Sequence, residues 1–115
     1  MAKRFTMVLG LILLVVGVAG MATGGGPHDL MFFGVNAGHN LVHVVSGVLA
    51  LIAGLSGQRA AVMFCLAFGV IYGAVAVLGF FGVAAVMSLL HLNLADDVLH
   101  LAIAAACLWV GGTSK

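Results

Sequence analysis

Apolar positions run along this chain in four long stretches, about residues 5–23, 32–55, 60–80 and 94–111, separated by short polar or glycine-rich punctuation. A helix crosses a bilayer with roughly 20 mostly apolar residues, so each stretch predicts a spanning helix. Thr23-Gly24-Gly25-Gly26-Pro27-His28-Asp29 reads as a turn, with the single proline stopping a helix. Ser56-Gly57-Gln58-Arg59 is a short connection suited to an antiparallel helical hairpin. Phe80-Phe81-Gly82 opens a less regular stretch, residues 81–92, that reads as an interfacial or re-entrant piece with no assigned role. The regular part of the second span is expected to start at Asn36, after Met31-Phe32-Phe33.

Histidine, asparagine and aspartate enter these spans in only two places, and the two places match. Asn36 to Gly47 reads N-A-G-H-N-L-V-H-V-V-S-G, and 57 positions later Asn93 to Ala104 reads N-L-A-D-D-V-L-H-L-A-I-A. Asn93 answers Asn36, Asp96 answers His39, Asp97 answers Asn40 and His100 answers His43. At about 100° per residue, with His39 at zero, His43 falls near 40°, Asn36 near 60°, Ala50 near 20° and Gly54 near 60°. With Asp96 at zero, His100, Asn93, Cys107 and Gly111 fall at about the same angles, while Asn40 and Asp97 sit near 100°, at the edge of the face. The pattern predicts an all-α integral membrane four-helix bundle. It consists of two tandem helical hairpins, about residues 1–57 and 58–115, related by a pseudo-two-fold axis along the membrane normal.

Composition reinforces the class. Of 115 residues, 64% are hydrophobic and 6% charged, and the mean hydropathy is +1.33, outside soluble globular usage. A net charge of +1 suggests no nucleic-acid partner. Cys65 and Cys107 fall within spans and read as packing residues rather than a secreted disulfide framework. The basic start, Lys3-Arg4, followed by an apolar run resembles a secretory signal, but the run is long enough to span and is needed as the first member of the repeat, so it reads as a retained helix. Lys3, Arg4, Arg59 and Lys115 fall on one side of a four-span arrangement, and Asp29, Asp96 and Asp97 toward the other. The positive-inside rule then predicts a multi-pass protein of the cell (inner) membrane with both termini cytoplasmic and the histidine motifs toward the outer side. Gly10, Gly17 and Gly20 on the first span, and Gly69-x-x-x-Gly73 on the third, offer glycine-rich packing faces for neighbouring helices or for a homo-oligomer.

The motifs carry the candidate chemistry. A charged Asp at mid-bilayer depth costs roughly 2.5–3.5 kcal/mol on insertion scales, so Asp96 and Asp97 require partners, nearest on the matching helix. His39/His43 at i, i+4 and Asp97/His100 at i, i+3 each line one helix face, as metal sites in helical bundles do. His39, His43, Asp96 and His100 are the candidate ligands for zinc, copper or iron, with Asn36, Asn40, Asn93 and Asp97 holding or orienting them. Two other readings stand beside this one. The polar groups could form a structural hydrogen-bonded core, with Asn36 and Asn93 as helix N-caps. Alternatively the chain is a non-catalytic accessory or structural subunit of a larger membrane complex, lodged by its glycine-rich faces, in which His43 and His100 could ligate haem or chlorophyll. Nothing resembles a nucleophile triad or a phosphate loop, so an enzyme is the lesser expectation; transport would need more space than four short helices offer, unless they oligomerise.

The N-x-x-H-N-L-V-H-x-x-x-G and N-x-x-D-D-x-L-H motifs resemble those of a family of small bacterial and archaeal four-span membrane proteins of unassigned function. The resemblance covers nearly the whole chain. It implies the four-helix fold and the importance of His39, Asn40, His43, Asp97 and His100, and supplies no activity. Ala104 stands where the first motif has Gly47, so close packing need not be equal in the two halves.

Overall fold

A computed structural model of the chain describes residues 1–24 and 26–115. Four long helices dominate it: α1 (Ala2–Thr23), α2 (Ala37–Ser56), α3 (Gln58–Phe80) and α5 (Leu94–Thr113), with a short α4 (Ala84–Leu90) before the last. All four are long and apolar enough to cross a membrane, and large apolar side chains such as Val15, Leu49, Val70 and Trp109 cover their outer faces. An exposed apolar surface of this kind is stable against lipid and not against water. The fold is all-α in its spanning part, with one small hairpin of strands.

The hairpin occupies the first residues of the stretch assigned to the second span, ahead of the regular part expected from Asn36. β1 (His28–Leu30) pairs antiparallel with β2 (Phe33–Val35), Asp29 opposite Gly34, around a tip at Met31 and Phe32. Helix α2 therefore starts at Ala37 rather than near residue 32, because Asn36 adopts an extended backbone and its Oδ1 accepts the His39 amide at 2.8 Å as an N-cap. The turn expected over Thr23–Asp29 includes Gly25, which lies outside the described residues. His28 clips the rest of it, hydrogen-bonded to Thr23 Oγ1 at 2.8 Å and to the Gly26 carbonyl at 2.7 Å. The stretch 81–92 contains α4, ended by His91 in the left-handed region at φ 51°.

Packing follows the small residues. α1 lies chiefly on α2, and α3 on α5. A Cβ on Gly10 would stand 2.8 Å from the Gly47 carbonyl oxygen, and one on Gly47 2.8 Å from that of Gly10, so the two backbones touch at this crossing. In the second pair a Cβ on Gly69 would meet Leu108 at 2.7 Å and the Ala104 carbonyl at 3.1 Å, whereas one on Gly73 would make ordinary contact with Ala104 at 3.6 Å. Gly69 is thus required for close approach and Gly73 is not.

The buried positions obey a simple rule. Ala2, Thr6, Leu9, Gly10, Leu13, Gly17 and Gly20 of α1 are each 59 positions before a buried residue of α3, from Ala61 to Gly79. His39, Asn40, His43, Gly47, Ala50 and Gly54 of α2 are each 57 before a buried residue of α5. Gln58 ties one end of the bundle together, accepting from the Lys3 amide at 3.4 Å and donating to the Lys115 carbonyl at 3.0 Å. Both termini and the α2–α3 turn share that end, opposite the polar motifs.

Candidate metal centre

Three of the sequence-predicted residues converge. His39 and His43 project from the first two turns of α2 and His100 from α5, with ring centroids 4.4 Å apart for His39–His43, 5.5 Å for His39–His100 and 6.3 Å for His43–His100. One ligating nitrogen from each lies within 4.8 Å of the others, and all three residues are buried. The centre of an equilateral triangle of that edge is about 2.8 Å from each corner, against roughly 2.0–2.1 Å for a zinc–imidazole bond, so side-chain shifts below about 1 Å would close the triad on an ion.

The donors are oriented for such a role. His39 Nδ1 lies 2.9 Å from the Gly34 carbonyl oxygen, which can only accept, so Nδ1 carries the proton and Nε2 keeps its lone pair. That Nε2 is buried and has no hydrogen-bond partner among the described residues, and the same holds for Nδ1 of His43 and Nδ1 of His100. Burying a polar atom unpaired costs about 1–3 kcal/mol. Three such nitrogens lie on three neighbouring rings, and among the described residues Tyr72 Oη is buried without a partner as well. Tyr72 of α3 closes the far side, its ring edge-on to His100 at 5.2 Å and stacked on Phe68 at 3.9 Å.

Asp96, the fourth candidate ligand, sits beside the triad and is already committed to backbone. Its Oδ2 accepts from the Asn93 amide at 2.8 Å and from the Gly34 amide at 3.0 Å. With Asn93 Oδ1 accepting the Asp96 amide at 2.9 Å, this forms a reciprocal capping box at the start of α5. Asn36 and Asn93 cap as expected and also reach across: Asn36 Nδ2 donates to the Leu89 carbonyl at 2.9 Å and Asn93 Nδ2 to the Phe32 carbonyl at 3.0 Å. Asn40 and Asp97 point into their own helix pairs. Any Cβ on Gly20 would collide with the Asn40 amide, and any on Gly79 with the Asp97 carboxyl. Both Asn40 side-chain polar atoms and Asp97 Oδ1 are buried without partners among the described residues.

The residue missed from sequence is Gly34. Its carbonyl orients His39 and its amide is held by Asp96, and a Cβ there would collide with the His91 carbonyl. A glycine two residues before an N-cap was the visible signal; that the hairpin folds it over both motifs was not.

A family model matches residues 3–112 of the chain. The chain belongs to the DUF4383 family, a domain of unknown function. No curated protein and no solved structure matches it. For this DUF4383 chain the site itself must therefore carry the functional argument.

Proposed function

We propose that this chain is a small integral membrane protein that binds one transition-metal ion, zinc, copper or iron, through His39, His43 and His100 at the outer end of its bundle. The observation that carries the reading is the set of three converging imidazoles, each with a buried nitrogen lacking a partner. A purely structural polar core would be expected to satisfy those atoms internally. Imidazole suits these three metals. His39 is held by the Gly34 carbonyl as metal-bound histidines are held by outer hydrogen bonds. Asp96 stands next to the ion, fixes Gly34 and supplies a nearby carboxyl group. The close approach of His43 and His100, 6.3 Å between ring centroids, favours a bare ion over a haem or chlorophyll ligated by both, whose macrocycle would have to lie between them. The shared end of the termini and the Arg59 turn is the basic end, so the positive-inside rule supports cytoplasmic termini in a cell membrane and two tandem hairpins of like orientation.

The test is elemental analysis of gently solubilised protein with its visible spectrum, beside a His43→Ala/His100→Ala variant. About one metal per chain, lost in the variant, is expected. A Soret-type band would transfer the assignment to a tetrapyrrole, and folded protein that neither contains nor takes up zinc, copper or iron overturns the reading. For orientation, a cysteine placed at Asp29 should react with a membrane-impermeant thiol reagent in intact cells and one at Ser114 should not.

A further inference from the structure

A cavity of about 140 Å³ lies against the triad, bordered by His43 and His100 and by Asp96. The rest of its wall is apolar, from Val16 of α1, Phe33 and Val35 of the hairpin, and Leu99 of α5 among others. On the other side, His39, His100 and Tyr72 border a smaller space of about 50 Å³. The volume of the larger cavity is similar to the ~150 Å³ engineered apolar cavity that stays dry and takes benzene or xenon. Two wall residues, Met31 and Leu99, also face the outside of the bundle, 81% and 40% exposed, so the cavity adjoins the surface that the bilayer covers.

Resting on the metal reading above, we propose that the ion keeps one coordination position open toward this cavity and binds there a small, uncharged, lipid-soluble molecule of the diatomic class. Three protein ligands leave a fourth position of a tetrahedral ion for an exogenous molecule. Two of the three ligands border each space, and the larger, at about 140 Å³ against about 50 Å³, has the more room for a molecule at that position. The occupant is selected by the walls. An anion would meet Asp96 with no Lys or Arg lining the space, and a cation would meet the charge of the ion itself, so neither offsets its lost hydration, a loss that a neutral molecule does not incur. Neutral diatomics lose almost nothing and concentrate in the lipid against which Leu99 and Met31 lie.

Carbon monoxide on the copper(I)-loaded protein is the probe. Copper is the tightest binder of the divalent series at nitrogen sites, so it loads the triad if any of these metals does. The protein is loaded, its copper counted, reduced under argon, and examined by infrared spectroscopy on addition of carbon monoxide. One copper per chain with a copper-bound carbonyl band of matching stoichiometry is expected. Val16→Phe, which fills the cavity from α1, should keep its copper and lose at least tenfold in carbon monoxide affinity, and Leu99→Trp should do the same from α5. Full copper without a carbonyl band in the unaltered protein overturns this proposal and leaves the metal site standing, whereas failure of folded protein to load copper overturns both. Unchanged carbon monoxide affinity in both filled variants, each with full copper, moves the open position away from this cavity and also overturns the proposal.

Discussion

His39 and Asp96 occupy corresponding positions in the two polar motifs, 57 apart, and both grip Gly34, yet they end with opposite chemistry. His39 gives its Nδ1 proton to the Gly34 carbonyl and thereby frees Nε2 toward the other imidazoles. Asp96 spends Oδ2 on the Gly34 and Asn93 amides. One position turns an unpartnered imidazole nitrogen toward the other rings and the other holds the peptide that orients it. Matched positions on matched faces thus need not share a role, because a ring has a second nitrogen to spare on the far side while a carboxylate next to free amides is drawn to them.

The strongest way to break this comparison is to remove each side chain in turn. His39→Ala should abolish stoichiometric metal, whereas Asp96→Ala should retain it within about a hundredfold in affinity, the range for partners that act through a ligand; metal titration of both decides, and equal loss would restore Asp96 as a ligand. Next, Gly34→Ala drives a Cβ into the His91 carbonyl and should cost about 1–3 kcal/mol in detergent unfolding, with metal affinity falling alongside. Gly20→Ala and Gly79→Ala should each cost a similar ~1–3 kcal/mol by displacing Asn40 or Asp97, the larger loss at Gly79, where the displaced group is a carboxyl. Asn36→Ala and Asn93→Ala should each lose about 1 kcal/mol of stability as caps are removed, measured by the same unfolding curves. The smallest effect belongs to Gly73→Ala, expected to be neutral or to gain up to about 1 kcal/mol from helix propensity, while Gly69→Ala on the same face loses stability.

The connections between the helices of each pair sharpen the contrast. The first pair is joined through the β1–β2 hairpin and the second through α4, and each connection has a residue in the left-handed region, Met31 at the hairpin tip and His91 at the end of α4. Asn36 reaches to Leu89 in the second connection and Asn93 to Phe32 in the first, so each motif fastens the cover of the other. These bonds account for the polar ends of both spans being buried under short segments rather than left to the interface.

Much was legible in the residues alone. Four apolar stretches of spanning length dictate four helices, since a backbone in lipid must satisfy its own hydrogen bonds. The two asparagines announce their helix starts, and i, i+4 spacing puts His39 and His43 on one face. The wheel also placed Asn40 and Asp97 at the edge of that face, which is where each turns toward a glycine of its neighbour. Tertiary structure decided the rest. Gly10, Gly47 and Gly69 let the backbones approach within each pair, and the packing of the two pairs on each other brings His100 onto the α2 histidines. The strands at residues 28–35 carry too short a pattern to signal themselves, and only their fold over the bundle puts the Gly34 peptide between His39 and Asp96. Local pattern fixes which groups lie on a face; competition among neighbouring donors and acceptors in three dimensions fixes which of them remain free to bind.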